Sequence, residues 1–100
     1  MPKFNEVKKQ VLECLYEGCV LHESRSDIDI KNLLEVGVVS VEEVAEIIRR
    51  SRGNEYESSP HHMDNNIDVH VIKTRYQSAQ WYIKWYFMED NSVFISVHCQ

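Results

Sequence analysis

The stretch Trp81-Tyr82-Ile83-Lys84-Trp85-Tyr86-Phe87-Met88, with Ser92-Val93-Phe94-Ile95-Ser96-Val97-His98 just beyond it, decides the reading of this chain. Both runs are rich in aromatic and β-branched residues, the types that suit a pleated surface. Glu89-Asp90-Asn91 separates them, so they read as one hairpin. Successive side chains on a strand point to opposite faces. Trp81, Ile83, Trp85 and Phe87 therefore form one set, and Tyr82, Lys84, Tyr86 and Met88 the other. A three-residue loop pairs Phe87 with Val93, Trp85 with Ile95 and Ile83 with Val97. That register gathers the apolar residues on one face, so burial predicts it over a two-residue loop. It also sets Tyr82 opposite His98 and Lys84 opposite Ser96. A tyrosine, a lysine and a histidine then meet on the face turned from the core, with opposed Cβ atoms about 4.5–5.5 Å apart.

Outward from the hairpin, Asn65–Thr74 and the shorter Glu55–Ser59 also read as strands. Ser58-Ser59-Pro60-His61-His62 and Tyr76-Gln77-Ser78-Ala79 read as connections. The first half is helical in pattern. Phe4, Val7, Val11 and Cys14/Leu15 recur at helical spacing, and Gly18 stands where a left-handed cap belongs. A second helix is predicted from Asp27 to Val36, with Gly37 after it. Ser40-Val41-Glu42-Glu43 is a capping box opening a third. Val41, Val44, Ala45, Ile47 and Ile48 face the core, and Arg49-Arg50-Ser51-Arg52 closes the helix ahead of Gly53, its basic residues complementing the helix dipole. Helices followed by consecutive strands predict an α+β fold: about three helices on one face of an antiparallel sheet of about four strands, in one domain spanning residues 1–100.

Composition narrows the function. The chain has 100 residues, a net charge of -5 and 43% apolar residues, values of an ordinary globular domain. An acidic balance argues against a general nucleic-acid binder, and no DNA partner is expected for the free chain. The charge is uneven, however. Residues 1–59 hold 12 acids against 8 bases, whereas residues 60–100 hold 4 against 3, with four of the five histidines. No apolar run is long enough to span a membrane. The start, Met1-Pro2-Lys3-Phe4-Asn5-Glu6, lacks the apolar stretch of a signal peptide, so the expected location is cytoplasmic. Cys14, Cys19 and Cys99 are accordingly read as reduced thiols.

Tyr82, Lys84 and His98 are the leading candidates for chemistry. Histidine moves protons near neutral pH, lysine stabilises charge developing on a phosphate, and tyrosine positions a hydroxyl or stacks on a base. Such a trio suits RNA cleavage in which the 2′-hydroxyl attacks the adjacent phosphorus, a reaction that requires neither metal nor cofactor. The plain alternative is the solvated side of an amphipathic sheet. Arg49, Arg50, Arg52 and Arg75 are candidate phosphate contacts, with helix-end and turn solvation as their alternative; Lys73 joins Arg75 as a candidate for substrate binding. His70 joins the site if its strand lies beside that of Tyr82. His61-His62-Met63-Asp64 is read as a polar loop, since adjacent histidines on an extended chain point apart. Trp81 and Trp85 are read as core. No phosphate-binding glycine loop and no Ser-His-Asp order is present.

The chain also resembles the MqsR family of toxins from type II toxin–antitoxin modules, small ribonucleases of the RelE-like superfamily. The resemblance runs from about Val7 to His98. It rests on Val7-Lys8-Lys9, Gly18-Cys19-Val20, Leu33-Leu34-Glu35-Val36-Gly37, Val44-Ala45-Glu46-Ile47-Ile48, Tyr56-Glu57-Ser58, Ile67-Asp68-Val69, Trp81-Tyr82-Ile83-Lys84 and Val93-Phe94-Ile95-Ser96-Val97-His98, in that order and spacing. It implies a RelE-like fold, an mRNA-cleaving activity and an antitoxin partner. The family's sheet tyrosine and following lysine match Tyr82 and Lys84. Its lysine near the chain end falls at His98, a residue type that other RelE-like ribonucleases use as acid or base. Its lysine on the first strand falls at Glu57, reversing the charge, and its glutamine before Asp-Val falls at Ile67, next to Asn66. By analogy with carboxylates in some RelE-like toxins, Glu57 is a candidate general base. These departures sustain a second expectation: a catalytically silent module on the same fold whose acidic helices dock a basic partner protein. A small regulatory protein unrelated to toxins is the third.

Overall fold

A computed structural model describes residues 4–22, 34, 37–61 and 64–99. The predicted helix from Asp27 to Val36 lies outside the described residues, Leu34 excepted. Helix α1, Phe4–Glu17, buries Val7, Val11, Cys14 and Leu15, one apolar stripe. Gly18 then takes φ +80°, and the Cys19 N–H reaches back to the Cys14 carbonyl at 2.9 Å, closing the helix as its sequence predicts. Strand β1, Val20–His22, follows. Helix α2, Val41–Arg50, starts where Ser40 Oγ accepts from the Glu43 N–H at 3.1 Å. It ends sooner than predicted, with Ser51 as C-cap; Gly53 opens a 3₁₀ turn, Gly53–Glu55, rather than stopping the helix.

Strands β2 (Tyr56–Pro60), β3 (Asp68–Tyr76), β4 (Ala79–Met88) and β5 (Asn91–Cys99) form an antiparallel meander. The sheet has five strands in the order β1-β5-β4-β3-β2, and β1 runs parallel to β5. The described residues thus confirm α+β with a mostly antiparallel sheet and add one edge strand to the four predicted. Val20-Leu21-His22 is too short to carry an alternation signal. Its place comes from pairing with Ser92-Val93-Phe94 and from the Ser92 N–H bonded to the Cys19 carbonyl at 2.9 Å.

Helices α1 and α2 cover one face of the sheet. Val11, Val44, Ile47, Ile48, Ile72, Ile83, Trp85, Phe94 and Val97 form the fully buried centre between them. Trp81 and Trp85 are core, as the alternation predicts.

The hairpin solves its register differently from the prediction. Tyr82↔His98, Ile83↔Val97 and Lys84↔Ser96 pair as expected, but Trp85 then pairs with Phe94, Phe87 with Ser92 and Met88 with Asn91. The turn has two residues, Glu89-Asp90, with Glu89 in the left-handed region at φ 56°. Ile95 is an extra residue, a β-bulge, between the two halves of the ladder. The bulge reverses the alternation of β5. Phe94 joins Trp85 against the helices, while Val93 and Ile95 turn to the outer face. There they pack with Val69, Val71 and Tyr86 as a second, smaller core. Alternation alone, with one apolar face assumed, excludes the two-residue loop; a sheet apolar on both faces over half its length admits it.

Candidate functional site

The outer face therefore has an apolar half and a polar half. In the polar half, β2, β3, β4 and β5 each contribute one residue to a row. β3 pairs Lys73 with Tyr82 of β4, and β4 pairs Tyr82 with His98 of β5. The Tyr82 and His98 rings lie 5.0 Å apart between centroids and 14° from parallel, a stack. Lys73 Nζ sits 6.0 Å from the Tyr82 ring centroid and 3.3 Å from Glu57 Oε1 of β2. Lys84, half-buried, stands two residues along β4 from Tyr82, beside the buried Ser96. A carboxylate, an ammonium, a phenol and an imidazole thus span four strands on one face.

This row assembles because opposed residues on neighbouring strands share a face. Tyr82, Lys84 and His98 share this face as the hairpin alternation predicts, and the structure adds Lys73 and Glu57 beside them. Glu57 is not a solitary base, since Lys73 occupies one of its oxygens. Both members of this pair are more than half exposed, so the bond is weak.

His70 is not part of the row. Its strand does neighbour that of Tyr82, but His70 pairs with Trp85 and faces the helices. It is 4% exposed, and its Nδ1 is 2.8 Å from Tyr56 Oη. Its ring also packs against Tyr56, Trp85 and Phe87. Burial pushes its pKa down to about 4, with nearby Asp68 opposing, so the ring is neutral at physiological pH. Burial likewise raises the Tyr56 phenol. A cleft of about 260 Å³ lies beside His70, lined by Val7, Gln10, Asn66, Ile67, Asp68 and Phe87. Ile67 packs against the second core, and the Asn66 N–H donates to Asp64 Oδ1 at 2.9 Å in the turn before β3.

Arg75 lies two residues from Lys73 on the same face of β3, opposite Gln80. It lines a polar groove of about 430 Å³ with Arg50, Arg52, Glu55, Thr74, Tyr76 and Gln77. Tyr76 was legible in the sequence only as part of a connection. Its neighbour Arg75, at the end of an alternating strand, was the available signal for a polar end to the sheet. Arg49 is turned away into an ion pair with Glu46 at 2.7 Å. His61 of the polar loop is buried and packs edge-on against Tyr86, 4.9 Å between centroids; His62 and Met63 lie outside the described residues. Among the described residues, no group of three His, Cys, Asp or Glu side chains is placed to hold a metal ion, and no helix is long and apolar enough to cross a membrane.

Comparison with protein-family models and with curated proteins gives no match for this chain.

Proposed function

We propose that the chain is a metal-independent endoribonuclease of the toxin type, MqsR-like on a RelE-like fold, acting on mRNA in the cytoplasm under the control of an antitoxin protein. The observation that carries this reading is the Tyr82–His98 stack flanked by Lys73 and Lys84 on a half-exposed sheet face. The reaction needs a group to take the proton from a 2′-hydroxyl, positive charge to meet the pentacoordinate phosphorus, and a proton for the departing 5′-oxygen. His98 is the proton carrier. Tyr82 holds the imidazole on one side by stacking and presents its hydroxyl to the substrate. Lys84 and Lys73 supply the charge, Lys73 after exchanging Glu57 for phosphate. Attack by the 2′-oxygen and expulsion of the 5′-oxygen leave a 2′,3′-cyclic phosphate and a 5′-hydroxyl. Glu57 is positioned to release or recapture Lys73 and, alternatively, to act as the base itself; Glu57→Gln retaining full activity removes the second role.

The test is cleavage of total RNA by the purified chain in the presence of a chelator, beside His98→Ala and Tyr82→Phe. Loss of at least about a hundredfold in His98→Ala, with cleavage by the wild type, is the expected result. A folded wild type that cleaves no RNA, with or without ribosomes, overturns the reading in favour of the silent binding module.

A further inference from the structure

We propose that the groove between the end of α2 and the β3–β4 turn is a subsite for a backbone phosphate of single-stranded RNA, one nucleotide step from the row of Lys73, Tyr82 and His98. The inference rests on the ribonuclease reading for its ligand, and on the groove for its place.

The groove collects Arg50, Arg52 and Arg75 around one space of about 430 Å³, in a chain whose net charge is -5. Among the described residues lining it, Glu55 is the only acid, and Glu55 Oε1 accepts the Arg52 backbone N–H at 2.9 Å. Arg50 is held in place by Glu46 on one side and lies over the Tyr76 ring, 5.7 Å from its centroid. Arg52 and Arg75 are exposed and have no ion-pair partner among the described residues. Two guanidiniums unpaired beside a third that is anchored form a wall of donors suited to phosphate oxygens. Thr74 and Gln77 add neutral polar groups.

The path to the row is short. Lys73 and Arg75 are alternate residues on one face of β3, about 7 Å apart along the strand. An extended polynucleotide covers that distance in one step. With its reacting phosphate beside His98 and Lys84, an RNA crosses β4 to β3 and meets Arg75 at the groove mouth about two steps on, one step past Lys73. The strong local positive charge explains how an acidic chain can hold a polyanion: the field that matters is that of the groove.

The experiment is fluorescence anisotropy with a labelled 2′-O-methyl RNA 12-mer, which binds but cannot be cleaved, across a salt series. The double variant Arg52→Gln/Arg75→Gln should bind about tenfold or more weakly at low salt. Its slope of log K against log salt should be shallower by about 1.4, two single-strand contacts at about 0.7 each. Lys9→Gln/Arg49→Gln, with the same change of net charge outside the groove, should bind like the wild type. Arg52→Lys/Arg75→Lys should keep the slope, which separates charge from damage to the fold. If both double Gln variants weaken equally, or the groove variant binds and cleaves like the wild type, the groove is not a subsite although the ribonuclease reading stands. If the wild type binds the 12-mer through the groove but cleaves no RNA, the subsite stands and the ribonuclease reading falls. A wild type that fails to bind at low salt overturns the subsite.

Discussion

Replacing His70 separates burial from chemistry at the most strongly perturbed group among the described residues. In the folded state its pKa is about 4, against 6.5 for the free imidazole. Between these values the unfolded chain binds a proton that the folded chain refuses. Stability is therefore fully present above pH 6.5, falls as pH drops through the interval, and levels off below about 4. At 1.36 kcal/mol for each pH unit, the gap amounts to about 3 kcal/mol, a large part of the 5–15 kcal/mol that holds a typical domain. His70→Gln removes the titration and keeps an acceptor for the Tyr56 hydroxyl, now 2.8 Å from Nδ1. At pH 7.5 the variant should be less stable by about 1–2 kcal/mol, because it loses ring packing against Trp85 and Phe87. At pH 4 the order should reverse, since only the wild type carries the protonation penalty. Urea unfolding followed by the fluorescence of buried Trp81 and Trp85 reads both values, and titration of the other histidines cancels in the difference. Wild-type and variant stabilities that fall in parallel between pH 7.5 and 4 would refute the assignment of a buried neutral imidazole to His70.

Three further outcomes follow from the sheet. Deleting Ile95 removes the extra residue and leaves Trp85↔Phe94 and Lys84↔Ser96 as consecutive pairs, so Phe94 stays buried; the loss should be that of one buried isoleucine side chain from the second core, about 1.5–3 kcal/mol, seen as a lowered thermal midpoint. At the β3–β4 turn, Gln77 and Ser78 both hold positive φ, 50° and 67°, the conformation that favours Asn-Gly; Gln77→Asn/Ser78→Gly should raise stability by about 1 kcal/mol in urea unfolding. Glu57→Gln breaks an exposed ion pair and should shift stability by less than about 0.5 kcal/mol, so any large change it makes in RNA cleavage reports on the site and not on the fold.

Much of the architecture was legible in local patterns. The stripe of Val7, Val11, Cys14 and Leu15, the cap at Gly18 and the Ser40 N-cap are set by residues within one or two turns of each other, so sequence alone located both described helices. The pairing of Tyr82 with His98 and Lys84 with Ser96 was legible for the same reason: it follows from alternation on two adjacent strands. The meeting of Tyr82, His98 and Lys84 on one face thus follows from the sequence, whereas the ring stack is a feature of the structure.

Other features depend on contacts between distant segments. The faces of Val93, Phe94 and Ile95 depend on what packs on each side of the sheet. Only the second core around Val69, Val71 and Tyr86 makes a bulge at Ile95 more favourable than an unbroken ladder. The exclusion of His70 from the row has the same origin: adjacency of strands was readable, but the face depended on the register of β3 against β4. Strand β1 carries no pattern of its own and exists by pairing with β5. The arginine groove joins the end of α2 to a turn more than twenty residues later, a meeting that periodicity cannot encode. By itself the sequence determined helices, strands and the polar pair at the end of the hairpin, because those rest on spacing along the chain. The tertiary structure decided which face each strand presents and which charges meet, because burial on both sides of a sheet is a property of the assembled layers.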